Sequence, residues 1–186
     1  MSILGAVIVP HPPLIIPAVG RGLEQEVQTT IAAYRTVAQQ VADWEPEVLI
    51  VTSPHQIMYA DYFHISPGRG ATGDMSAFGA AQTKLQVEYD EVLRDEIIRC
   101  GEAAGLQVGT LGQRDPYLDH GTFVPLYFLR EAGVDCPILR IGLSGFSPLD
   151  HYRLGQCIAQ AVETLGRRAV FIASGDLSHK LKDDGP

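Results

Sequence analysis

The side chains in this sequence best suited to chemistry are histidines, and four of the six stand just past apolar runs or at the mouth of a helix. His11 lies in Val9-Pro10-His11-Pro12-Pro13 and His55 closes Ser53-Pro54-His55. His120 sits in Asp119-His120-Gly121-Thr122, and His179 ends Ser174-Gly175-Asp176-Leu177-Ser178-His179. Neutral imidazole suits Fe(II) and Zn(II), and two histidines from adjacent strand ends supply two cis ligands. With one carboxylate they make a facial triad, which keeps positions open for substrate and dioxygen. His11 and His55 are the expected metal pair. His120 is placed just before a helix N-terminus, where the positive end of the dipole disfavours imidazolium, so it is expected to act as a neutral hydrogen-bond donor or weak base. His179 follows a tight turn and is the expected acid or base. Spacing does not single out the carboxylate: Asp176, Asp119, Asp115 and Asp61 are all within reach of the pattern, and an acid in a Gly-Asp turn more often bonds backbone N–H groups. His64 and His151 lack such a placement.

For these histidines to meet, the strands that deliver them must run parallel. Ile3 to Val9 is a short apolar run closed by proline, which reads as a buried strand. Leu23, Val27, Ile31, Tyr34, Ala38 and Val41 recur at helical spacing, and Glu47 to Thr52 forms a second strand. A strand, a helix and a strand make a right-handed crossover unit, so both histidines emerge on one sheet edge, where open α/β sheets bind ligands. Prolines 10, 12 and 13 offer no N–H donors, so the first loop cannot cradle phosphate but can hold an imidazole stiffly.

Further strands are expected over residues 61–65, 82–89, 106–111, 136–142 and 169–174. The Gly-rich stretch 66–80 reads as a mobile loop, a candidate lid. Asp90 opens a helix that Gly105 ends, Thr122 caps one with Pro125 in its first turn, and Ser147 starts another. The chain stops at Pro186, soon after a strand-end motif, which leads to the expectation that a C-terminal segment of this domain is missing.

Composition narrows the partners. A chain of 186 residues with 46% hydrophobic content suits one globular domain. Its formal charge of −8 gives no electrostatic reason to approach nucleic acid or an anionic membrane. No apolar stretch approaches the roughly 20 residues that span a bilayer, and no basic leader precedes the first strand. Cys100, Cys136 and Cys157 lack CxxC spacing and read as reduced, near-core residues of a cytoplasmic protein. Serine-hydrolase and dinucleotide readings are poor, because Ala173-Ser174-Gly175 lacks the GxSxG elbow and no GxGxxG follows the first strand.

The four histidine motifs, in this order and over nearly the whole chain, resemble the class III extradiol ring-cleavage dioxygenases. These are the LigB-type catalytic subunits, in a superfamily that includes the Memo-like and AmmeMemoRadiSam-system proteins, and the last branch is the nearest in flavour. The resemblance implies a three-layer α/β/α domain with a mostly parallel central sheet. It implies that His11 and His55 bind iron, that His179 is the catalytic base and acid, and that His120 is a second active-site histidine near dioxygen. The implied reaction is Fe(II)-dependent opening of a catechol-type ring beside its hydroxyls, with an aromatic diol and dioxygen as partners. The third ligand of those enzymes is a glutamate beyond the Ser-His motif, and no such residue occurs before Pro186. Either the polypeptide is truncated, another group completes the site, or the metal is lost. A binding or adaptor protein of Memo type and a zinc hydrolase are the competing readings, and homo-oligomerisation is left open.

Overall fold

Alternation along one strand divides the core in two. β2 (Val48–Ser53) sends Val48 and Ile50 to one face of the sheet and Leu49 and Val51 to the other, and all four are buried. A strand apolar on both sides belongs in a parallel sheet covered by helices on both faces. The computed structural model, which describes residues 2–175, has that arrangement.

β1 (Ile3–Val9), β2, β7 (Ile138–Gly142) and β8 (Ala169–Ser174) form a parallel sheet in the order β1-β8-β2-β7. The crossover from β1 to β2 runs through α2 (Gln28–Asp43), after a short turn α1 (Pro17–Gly20). The crossover from β7 to β8 runs through α5 (Pro148–Thr164) in the opposite direction across the sheet. Right-handed crossovers of opposite direction put their helices on opposite faces. Accordingly α2 packs with α4 (His120–Glu131) over Leu49, Val51, Val170 and Ile172, and α5 packs with α3 (Glu91–Ala103) over Val48, Ile50, Leu139 and Ile141.

Three expectations change. β1 and β2 are not neighbours, because β8 enters between them, so His11 and His55 leave strands separated by a third. The strands expected over 61–65 and 106–111 shrink to β3 (Phe63–His64) and β6 (Val108–Gly109), which pair with each other. The expected lid is not a loop: β4 (Gly70–Met75) pairs antiparallel with β5 (Ala80–Glu88), and Gly79, at φ +76°, makes the tight turn. Its small residues hide the strand, because Gly and Ala carry no alternating pattern to read.

Elsewhere the periodicity holds. Ile31, Tyr34, Ala38 and Val41 face the core from α2, although the helix starts at Gln28 and Leu23–Val27 is a 3₁₀ turn. Asp90 caps α3, accepting the Leu93 N–H. The cysteines are free, Cys100 and Cys157 buried and Cys136 half-buried. Among the described residues no helix is long and apolar enough to cross a membrane.

His64 sits in this fold as a buried ring whose Nε2 has no hydrogen-bond partner among the described residues. Burial, with the nearby Arg140 charge adding to it, lowers its pKa below the ordinary 6.5. The unfolded chain then binds the proton more readily than the folded one, so stability is retained above pH 6.5 and falls as pH drops from there toward the folded value. Urea unfolding as a function of pH should show this loss, and His64→Leu should flatten it; an unchanged slope in the variant would assign the loss to other groups.

Candidate metal centre

The C-terminal ends of β1, β8 and β2 deliver the site. Past β1 the chain enters Pro10 and His11, with the Tyr34 hydroxyl of α2 donating to the Pro10 carbonyl at 2.9 Å. The His11 ring is buried, 2% exposed, with Nδ1 2.9 Å from Ser174 Oγ at the end of β8. Its Nε2 lies 3.1 Å from Nε2 of His55, which follows the end of β2 and is exposed. The His120 ring is centred 4.0 Å from that of His55 and 5.4 Å from that of His11. One ligand nitrogen from each of the three histidines falls within 4.8 Å of the others, so the trio could hold a metal ion. The Phe78 ring at the β4–β5 tip meets His120 edge-on, 5.4 Å between centres.

The donor chemistry fits a cation. Two Nε2 atoms at 3.1 Å can share at most one proton between them, so at least one lone pair is directed into the cluster. The two rings stand nearly perpendicular, at 80°, so these atoms meet edge to edge and not by stacking.

His120 is held at this spot by α4, whose N-cap is Asp119 and not Thr122; the helix begins at His120 itself. Asp119 Oδ1 accepts from the Ser53 hydroxyl at 2.6 Å and the Thr122 N–H at 2.9 Å. Its Oδ2 accepts from the Thr122 hydroxyl at 2.7 Å and from Arg140 Nη2 at 3.3 Å. Burial works to raise the Asp119 pKa, but the bonds from Ser53 and Thr122 and the Arg140 charge outweigh it and hold the carboxyl below its ordinary value. Both oxygens are thereby committed to the scaffold, which removes Asp119 from the candidate ligands. Asp115 also serves structure, accepting the Tyr117 N–H and lying 3.9 Å from Arg140. Asp61 is exposed and outside the cluster.

Gly121 leaves no room for a side chain. An added Cβ would strike Ser53 Oγ and come within 3.1 Å of the His55 ring, so this glycine lets α4 start against the end of β2. His64 and His151 stay apart from the trio; His151 accepts the Ser144 N–H at 3.4 Å and contacts the Ser147 carbonyl at 3.0 Å, bracing the start of α5. His179 and Asp176 lie outside the described residues.

Sequence reasoning missed the residues that hold the histidines. Ser53 and Ser174 are each the last residue of an apolar strand, and they donate to the start of α4, Ser53 to the Asp119 cap and Ser174 to the Gly121 carbonyl. Arg140 is 1% exposed, a charge placed inside the apolar strand Ile138–Gly142. An arginine in such a run is itself a signal, since it requires a buried acid opposite.

With this geometry in place, similarity to known proteins becomes informative. Residues 5–186 match the family described as the catalytic LigB subunit of aromatic ring-opening dioxygenase. The chain belongs to this family. A Clostridium acetobutylicum protein, CA_C1420, is 34% identical over 193 residues, covering 100% of this chain and 41% of that protein. The 2,3-dihydroxyphenylpropionate/2,3-dihydroxicinnamic acid 1,2-dioxygenase of Escherichia coli is 28% identical over 167 residues, covering 83% of this chain and 49% of the enzyme. This LigB-family chain thus spans less than half the length of the curated relatives it matches.

In this LigB-family fold the Asp119 cap should dominate local stability. Asp119→Asn keeps a good cap but takes from the buried Arg140 its nearer and more buried counterion, leaving it only Asp115 at 3.9 Å. The expected cost is about 3–5 kcal/mol in urea unfolding, against less than about 0.5 kcal/mol for the exposed Asp61→Asn. Because the Asp119 pKa is depressed in the fold, the wild type keeps this contribution above the ordinary aspartate range and loses it as pH falls through the folded value. The variant should lack that acid limb.

Proposed function

We propose that the protein is a metal-dependent extradiol dioxygenase acting on a catechol-type ring, with His11 and His55 as metal ligands. The observation that carries this reading is the meeting of three imidazoles from three separate segments at the C-terminal rim of a parallel sheet. Family membership supports it, as does the ring-cleaving activity in the name of the Escherichia coli relative. Fe(II) is the proposed metal, which when bound supplies the redox chemistry and the open coordination positions that a diol and dioxygen require. Buried His11 contributes a ligand nitrogen shielded from water, and His55 contributes one on the solvent side, where substrate must enter. His120, at the first residue of α4, is the proposed hydrogen-bond donor or acceptor toward the reacting oxygens. Phe78 offers an aromatic edge at the same opening. His179 is the proposed acid and base that takes the proton of the substrate hydroxyl.

The all-imidazole donor set of the described residues also suits zinc, which makes a zinc hydrolase the second reading. Protein purified without oxygen and loaded with Fe(II) should retain about one iron per chain and consume oxygen with a catechol panel that includes 2,3-dihydroxyphenylpropionate. His11→Ala and His55→Ala should each lower turnover by at least about 100-fold through loss of metal. Zinc retention with ester or amide turnover and no oxygen uptake would support the hydrolase. Failure to hold iron after loading would sink the dioxygenase, and saturable binding of a small acid without turnover would then favour a binding protein on this fold.

A further inference from the structure

The hydrogen bonds around Ser174 assign protons. In a regular α-helix the carbonyl of residue 121 accepts the N–H of residue 125, but residue 125 is proline and has no N–H. The Gly121 carbonyl is thereby free for a donor from outside the helix, and Ser174 Oγ lies 2.5 Å from it. Two oxygens at that separation need a hydrogen between them. The carbonyl has none to give, so it is the serine hydroxyl proton. That commits the single hydrogen of Ser174. Toward His11 Nδ1, 2.9 Å away, the same oxygen can only accept. His11 therefore carries its proton on Nδ1 and keeps the lone pair on Nε2, the atom that faces His55.

We propose that Ser174 is a positioning residue that fixes the tautomer of His11, and that Pro125 makes this possible by freeing the Gly121 carbonyl. The inference rests on the proposed metal site for its purpose but not for its chemistry, which is a property of the metal-free protein. The buried histidine is held ready to bind through Nε2. His55, which donates its Nε2 proton to His11 in the absence of metal, is the ring that must change. Its Nε2 proton leaves to water and its Nδ1 takes one from water, an exchange that its exposure permits. Ser174 and Pro125 thus divide the pair into a preset ligand and an adjustable one.

Imidazole ¹⁵N–¹H correlation spectra of the metal-free protein, at a pH above the ordinary histidine range, test this directly. Wild type should show His11 protonated on Nδ1. Ser174→Ala should lose that preference and bind Fe(II) about 10- to 100-fold more weakly in an anaerobic titration. Ser174→Thr, which keeps a hydroxyl, should restore both. Ser53→Ala is the control for mere support of α4: Ser53 also ties the helix start to a strand end but touches neither ring nitrogen of His11, so the Nδ1 proton should stay in place. Wild-type His11 protonated on Nε2 would overturn the proposal without any variant being needed, and so would an unchanged tautomer in Ser174→Ala. Nδ1 protonation in a wild type that takes up no Fe(II) would uphold the proposal while removing the metal reading.

Discussion

The arrangement around the histidines depends on one buried carboxylate. Asp119 accepts from Ser53 at the end of β2, from Thr122 in α4 and from Arg140 in β7. A carboxylate withdrawn from water is tolerable only when it is both bonded and opposed by charge, and here it has both. Because its donors come from different layers, satisfying this single group fixes where α4 begins relative to the sheet. His120 is the next residue, so its position follows from the cap.

Strand order explains why the site lies where it does. The crossovers from β1 and from β7 enclose opposite faces, and β8 is laid between β1 and β2. The crevice therefore opens above the end of β8, flanked by the two proline-histidine loops. β8 ends in a small serine whose hydroxyl reaches both His11 and the first turn of α4. A bulky residue there would occupy the space in which the loops converge. Ser53 plays the equivalent part for β2 and occupies the space that a Cβ on Gly121 would need.

Much of this was legible from residue patterns, and the failures share a cause. The helices from Gln28, Glu91 and Pro148 announced themselves by apolar spacing, and the parallel direction of β1 and β2 followed from the helix between them. Periodicity, however, reports which residues are buried and not which strands adjoin. The insertion of β8 depends on packing between layers and leaves no trace in either neighbour. The strand expected over 82–89 is present in β5, whereas its partner Gly70–Met75 reads as loop because its glycines and small residues give little contrast between faces. Sequence points to Thr122 as the cap and the structure to Asp119; both residue types cap well, and both take part in the same network. What separates them is Arg140, which only the folded sheet brings near.

The closeness of the three imidazoles is informative in its own right. Neutral rings whose nitrogens converge within 4.8 Å gain little from one another, since each lone pair needs a proton or a cation facing it. One shared proton can bridge the His11–His55 pair, and a cation placed among the three rings would engage their lone pairs directly. The scaffold nevertheless commits a buried ion pair, a serine at each of two strand ends, a proline inside a helix and a side-chain-free helix position to holding these rings together. Each of these features is neutral or unfavourable for stability by itself: proline costs helix bonding, glycine costs backbone entropy, and a buried ion pair at best balances its desolvation. Such local costs concentrated around converging nitrogens are what a preorganised cation site requires.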